Sequence, residues 1–434
     1  MKRVVVVGSG AGGATVARQL QGAAALTVLE AGPEFRPFGR DLGLVERLRS
    51  TRLFLDERLI RLLFPSMRVT KVSDRMALVR GVATGGTTTL ATGNAFRCDE
   101  ALLELGIDLG PEFAALQADL PISTAHQARW REPTRQLFAT CQGLGLDPRA
   151  TPKLVDQGLC TRCGRCVLGC PSGAKWDSRR YLDEAVAAGA RLDTGVSVER
   201  VLVEEDRPAS RHVTGVVARR RGRREFVPAD LVILAAGGLG TPAILERSGI
   251  KTEDRLFVDP VLCIGAPWPG GHLDREVPMP FVVSRDRYII SPYFDYLSFF
   301  FNKAWLRPRQ DIVALMIKLA DTESGRVSNT RVHKRLTPQD RENLAEATEL
   351  CGTIFETVGI PRASMFQGTL NAGHPGGTLP LVGNERKPLH PDRLPENLYV
   401  ADASLLPRSL GRPPMMTIMA LAWRIAALCR DRLG

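Results

Sequence analysis

Residues 1–32 read MKRVVVVGSGAGGATVARQLQGAAALTVLEAG, and the reading of this stretch decides the fold. Val4–Val7 is an unbroken β-branched run, Gly8–Gly13 a glycine turn, Ala14–Leu20 a helical stretch and Leu26–Glu30 a second apolar run. Strand, glycine turn, helix and strand in that order open a βαβ unit, which predicts a doubly wound α/β sheet. The charged start and apolar run also look like a secretory leader. Gly8, Gly10, Gly12 and Gly13 break that run too early, so the stretch is read as a buried strand and the chain is expected in the cytoplasm.

Within it, Gly8-x-Gly10-x-x-Gly13 sits between strand and helix, and Glu30 follows the third glycine by 17 residues. Glycines there permit a tight turn and let backbone N–H groups approach a pyrophosphate at the helix N-terminus. An acid ending the second strand is placed to accept hydrogen bonds from a ribose. Dinucleotide binding is therefore expected. The pattern does not itself separate FAD from NAD, but no second copy appears, and a later strand, LVILAAGG at 231–238, suits FAD lying along the sheet.

At 434 residues the chain is long for one domain, since ~150 residues per domain suggests two or three. A composition of 44% hydrophobic and 24% charged residues excludes a disordered chain. No apolar run approaches the ~18 residues of a membrane-spanning helix. The net charge of +11 suits docking of an acidic partner, which concerns encounter rather than chemistry.

Four of the nine cysteines crowd into one segment, Cys160-x2-Cys163-x2-Cys166-x3-Cys170-Pro171. This is the spacing of bacterial iron–sulfur ligation. A 4Fe-4S cluster is favoured, with 3Fe-4S as the variant if one thiolate is absent. Cys170 either completes the same cluster or is replaced by one of Cys98, Cys141, Cys263, Cys351 or Cys429. A structural zinc and a set of unligated thiols are the alternatives. The five scattered cysteines read as small buried residues.

Elsewhere, residues 34–75 read as helical connection and 81–94 as a Gly/Thr loop, with 100–150 mostly helical. Val196–Leu234 reads as two or three antiparallel strands. The arginines at 219–221, 223 and 224 are taken as a solvated hairpin tip rather than a nucleic-acid surface. Segment 265–370 has the texture of a separate α+β substrate domain with a helix near 338–358. A strand, Leu398–Val400, and a helix, Thr417–Cys429, close the chain. Residues 288–305, YIISPYFDYLSFFFNKAW, hold eight of the 26 aromatics. They read as a core strand pair or, more sharply, as the wall or lid of an apolar pocket.

Taken together, VVVVGSGAGG (4–13), LEAGP (29–33), GVATGGTTTLATGNAFR (81–97), ADLVILAAGGLGTPAILERSG (229–249), NAGHPGGT (371–378), ENLYVADASLLP (396–407) and TIMALAWRIA (417–426) resemble the glucose–methanol–choline (GMC) oxidoreductases. The resemblance implies a Rossmann-like FAD domain from 1–264 and 371–434, with the cysteine segment at 156–178 inside it and 265–370 inserted. It implies that Gly8, Gly10, Gly13 and Glu30 hold pyrophosphate and ribose. Gly85, Gly86 and Thr88 would lie along the pyrophosphate and flavin, Val198 would meet the adenine, and Asp402 with Ala403 the far side of the cofactor. His374 falls at the family's active-site histidine and would act as base toward a substrate hydroxyl. Pro413 stands where the family usually places Asn or His. GCPSGAK at 169–175 is similar to a segment of the family's iron–sulfur-containing sugar dehydrogenases, and Lys175 in it is read as structural. The expectation is thus an FAD-dependent dehydrogenase of a CH–OH donor, passing electrons through a cluster to an acidic carrier or partner subunit. C–C dehydrogenation or reduction, or an electron-transfer subunit with no substrate of its own, are the alternatives.

Overall fold

The strand expected at the start is present as Arg3–Val7, and its glycine turn feeds the helix Ala11–Leu20, followed by the strand Ala25–Glu30. A computed structural model describes residues 1–39, 42–51, 60, 64–207, 210–328 and 331–433. Arg3–Val7 pairs in parallel with both Ala25–Glu30 and Leu231–Leu234. Arg191–Thr194 and Leu398–Val400 complete a five-stranded parallel sheet. Val4, Val6, Val232, Ile233 and Leu234 are buried completely, as expected of strands covered on both faces. The chain is therefore a mixed α/β protein with a Rossmann-like sheet.

Beside it lies a nine-stranded mixed sheet. Its centre is Pro260–Pro267 paired with Ile312–Leu319, which in turn pairs with Tyr288–Pro292. Segment 265–370 does not build this sheet alone, because Met67–Lys71, Ala77–Gly81, Arg149–Ala150 and Asn371–Ala372 also join it. Among the described residues, two large apolar cores result, one around the parallel sheet and one around the mixed sheet, with a smaller third cluster around Met76, Leu256 and Val258.

Met67–Lys71 departs from the helical reading of 34–75, which otherwise contains the helix Leu42–Ser50; positions 40–41, 52–59 and 61–63 lie outside the described residues. The strand pairs with Ala77–Gly81, so partnership across the sheet overrides its charged, locally ambiguous sequence. The aromatic stretch is one strand, Tyr288–Pro292, and one short helix, Tyr296–Phe301, rather than two strands. Asp295 starts that helix by accepting the Leu297 N–H at 3.0 Å. The arginine-rich hairpin turns at Arg221 and Gly222, both at positive φ. Its guanidinium groups pair with Glu199, Asp193 and Glu225.

The glycine turn is packed against backbone. A Cβ on Gly12 would lie 1.7 Å from the Ala401 carbonyl oxygen, and one on Gly13 1.9 Å from that of Gly8. Gly12→Ala is expected to cost ~1–3 kcal/mol or more, because carbonyls cannot swing aside as side chains do. Gly143, at the end of the helix Glu132–Gly143, has open space around it, so Gly143→Ala should be neutral or stabilising by up to ~1 kcal/mol. Urea midpoints that moved in the same direction for both variants would contradict this packing.

Candidate active site

A cavity of about 700 Å³ is lined by both sheets, within the ~300–1,000 Å³ usual for small-molecule sites. Of the residues singled out from sequence, Gly8, Gly10, Glu30, Gly86, Thr88, Val198, His374, Asp402 and Ala403 line it. Gly13 and Gly85 stand behind the wall, where Gly85 holds φ +86°.

The Glu30 carboxylate is buried and accepts hydrogen bonds from the Ser9 N–H (3.1 Å), the Ser9 hydroxyl (2.5 Å) and the Gly32 N–H (2.8 Å). Burial raises its pKa, and these donors work in opposition. Ser9 Oγ also accepts the Gly85 N–H at 3.1 Å, tying the first glycine turn to the second. Gly86 holds φ +53°, and a Cβ on it would come within 2.9 Å of Gly10 Cα. The two turns thus stand against each other and leave no room for a side chain on Gly86. The helix Ala11–Leu20 starts here without a side-chain cap, so its first N–H groups are free to meet an anion. A glycine cradle, an uncapped helix N-terminus and a buried carboxylate on one cavity fit the pyrophosphate and ribose of FAD. Thr88 belongs to the wall itself, donating to Gly85 O at 2.6 Å. Asp402 fixes the turn after Leu231–Leu234, accepting the Gly237 N–H at 2.8 Å and the Thr241 hydroxyl at 2.5 Å.

At the mixed sheet, His374 lines the cavity with 26% of its side-chain surface open. Nδ1 is buried and lies 3.4 Å from Asp259 Oδ2, close but outside hydrogen-bond geometry, leaving Nε2 for the cavity. Asp259 Oδ2 also receives the Lys318 ammonium at 2.6 Å, and Oδ1 accepts the Ser409 hydroxyl. Burial and Lys318 lower the His374 pKa, Asp259 opposing, so the ring is neutral near pH 7. Burial would raise Asp259, but Lys318 and His374 outweigh it and hold the carboxylate below its usual range.

Asp259 sits in the left-handed region at φ +53°. Asp321 fixes that turn by accepting the N–H groups of Val258 and Asp259, and is itself paired with the fully buried Lys334 at 2.6 Å. Lys334→Met would strand the Asp321 carboxylate and is expected to cost ~3–5 kcal/mol in urea unfolding. Lys334→Met/Asp321→Asn should recover most of that loss; equal losses for both variants would contradict the ion-pair account.

The cysteine segment also reaches the cavity, which its Val167 and Leu168 line. Cys160, Cys163, Cys166 and Cys170 are free and partly buried, while the five scattered cysteines are free and buried. Burial pushes the Cys166 thiol up to about 11; Lys175 and Lys153 pull it down, and Cys170 and Cys163 are near enough to add to the rise. Lys175 is buried and donates to the carbonyls of Thr88 (2.9 Å), Thr89 (2.8 Å) and Ala91 (2.9 Å), joining this segment to the second glycine turn. Among the described residues, no group of three or more His, Cys, Asp or Glu side chains is gathered as ligands of a metal ion. The expected cluster therefore rests on sequence spacing, and neither it nor a zinc site is displayed by the geometry.

A sequence model of the GMC oxidoreductases matches residues 3–269. The chain belongs to the GMC oxidoreductase family. It is similar to an uncharacterized GMC-type oxidoreductase of Mycobacterium tuberculosis, 35% identical over 58% of this chain and 40% of that protein. It is also similar to the long-chain-alcohol oxidase FAO4B of Arabidopsis thaliana, 25% identical over 99% of this chain and 67% of that protein. Among solved structures, pyridoxine 4-oxidase from Mesorbium loti superposes with a TM-score of 0.71 at 18% identity over 99% of both chains, a likeness of fold. The chain thus spans well under half the length of the mycobacterial relative.

Within this GMC fold, sequence reasoning missed Ser9, Asp259 and Lys318. Lys318 had a signal. It is the lone charge in the strand Ile312–Leu319, buried along its whole length, where an ammonium has no solvated face and needs a buried partner. Asp259, in a loop before the next strand, carried no such mark. Pro413 lines the same cavity and offers no side-chain donor. Among the described residues, no helix is long and apolar enough to cross a membrane.

Proposed function

We propose that this GMC oxidoreductase is an FAD-dependent dehydrogenase of alcohol-type, apolar substrates. The observation that carries the proposal is that His374 and the Gly8–Gly10–Gly86–Glu30 cradle open onto one cavity. Gly8, Gly10, Gly13, Glu30, Gly85 and Gly86 would shape the dinucleotide site, Val198 would meet the adenine, and Thr88, Asp402 and Ala403 would flank the flavin side. Bound FAD supplies the acceptor for the hydride leaving the carbinol carbon. Neutral His374 takes the hydroxyl proton at Nε2, so that alcohol becomes carbonyl as the carbinol C–H and O–H bonds break. Ile60, Phe64, Leu90, Tyr296, Phe300 and Met316 give the remaining wall its apolar character, which suits a lipophilic alcohol like those named for the plant relatives.

Cys160, Cys163, Cys166 and Cys170 would hold an iron–sulfur cluster, which supplies one-electron transfer to an acidic carrier or partner subunit. Their residue type and the two buried lysines beside Cys166 suit a group of net negative charge. FAO4B and pyridoxine 4-oxidase are named as oxidases, so this segment is the reason to propose a carrier rather than oxygen as acceptor. On this reading 1–264 and 371–434 form the cofactor domain and 265–370 the substrate side, in a cytoplasmic enzyme. Anaerobic purification with FAD, iron and sulfide analysis, followed by alcohol turnover with oxygen or a one-electron dye as acceptor, tests it. FAD with iron and dye-dependent turnover is expected; iron-free protein that turns over with oxygen would overturn the electron exit.

A further inference from the structure

We infer that Lys318 is a substrate-contacting residue that supplies the hydrogen-bond donor Pro413 lacks, with Asp259 as the positioning residue that holds both Lys318 and His374. The inference rests on the reading of His374 as the site's base. Lys318 is 1% exposed by side chain, yet it lines the cavity. An ammonium has three N–H donors. One is directed at Asp259 Oδ2 at 2.6 Å, and no other protein acceptor for Lys318 Nζ occurs among the described residues. A buried cation with uncommitted donors is costly unless something in the cavity receives them.

The chemistry of the neighbouring base points to what would. Asp259 Oδ2 accepts the Lys318 ammonium at 2.6 Å and lies 3.4 Å from His374 Nδ1, so one carboxylate oxygen faces both groups. The carboxylate is itself fixed by Ser409 and by the Asp321-bound turn. An oxygen at His374 Nε2 gains negative character as its proton leaves. The donor that serves it should be cationic and preorganised, which a pinned lysine provides. The neighbouring positive charge also favours the unprotonated imidazole.

Octanoate is a suitable probe, because it presents an anionic oxygen on an apolar chain and undergoes no oxidation. In the FAD-loaded protein, octanoate should perturb the flavin spectrum saturably. Lys318→Met should weaken its binding about tenfold or more, the scale of one charge-assisted hydrogen bond. Because Lys318→Met strands Asp259, Lys318→Met/Asp259→Asn is measured beside it. The double variant should keep FAD and its thermal midpoint yet bind octanoate as poorly as Lys318→Met. Octanoate bound equally well by wild type and the double variant, or no octanoate binding by wild type, would overturn the inference. If binding follows Lys318 while octan-1-ol leaves the flavin oxidised, the anion site stands and the alcohol reading falls.

Discussion

His374→Ala is expected to slow alcohol-driven flavin reduction by ~10²–10⁴-fold while FAD stays bound, the usual contribution of a positioned general base. The imidazole lines the cavity from the mixed sheet, whereas the glycine cradle belongs to the parallel sheet's first turn, so its removal should spare cofactor retention. The pH profile gives the sign. A base works unprotonated, so the rate should rise as pH climbs through the His374 pKa and then level off. Burial and Lys318 favour the neutral ring, so that rise should lie below the ~6.5 of an ordinary histidine. Asp259→Asn removes the one contribution that raises the pKa and should move the rise to still lower pH. Stopped-flow flavin bleaching from pH 5 to 8 measures both effects. A His374→Ala variant as fast as wild type would remove the histidine from the chemistry.

Cys166→Ser should abolish iron binding and leave FAD in place. Cys166 is within the electrostatic reach of Lys175 and Lys153 and of both Cys163 and Cys170. A hydroxyl is a poor substitute for a thiolate on iron. Turnover with a one-electron dye should fall roughly tenfold or more, since electrons then lack their way out of the reduced flavin. Cys351→Ser is the contrast. That thiol is fully buried in the mixed-sheet core, so a hydroxyl there should cost ~1–3 kcal/mol of stability and no iron. Iron and sulfide analysis of the two variants decides between a cluster and a set of ordinary thiols. Equal iron in Cys166→Ser and wild type would exclude this segment as the ligand set.

The parallel sheet was legible because both of its determinants are local. Val4–Val7 is a β-branched run, and the glycines after it break it too early for a leader and suit a tight turn into a helix. The closing strand Leu398–Val400 and the helix Met415–Leu433 were visible for similar reasons, as apolar runs of characteristic period. The mixed sheet was less legible because its edges are made at long range. Met67–Lys71 becomes a strand only when Ala77–Gly81 folds back on it, and Asn371–Ala372 is a strand only beside Pro260. His374 was found through its motif, whereas its neighbours were not. Asp259 and Lys318 lie 59 positions apart and meet only across adjacent strands, so no local pattern announces them. The cysteine segment is the reverse case, with a strong sequence signal and no gathered ligand geometry to match it.

Anaerobic titration of the FAD-loaded protein with a panel of apolar primary and secondary alcohols, followed at the flavin absorption band with product analysis, is the most direct measurement. The account predicts bleaching of the flavin and matching release of the aldehyde or ketone, both lost in His374→Ala. A flavin that stays oxidised with every alcohol while no carbonyl product forms would contradict it.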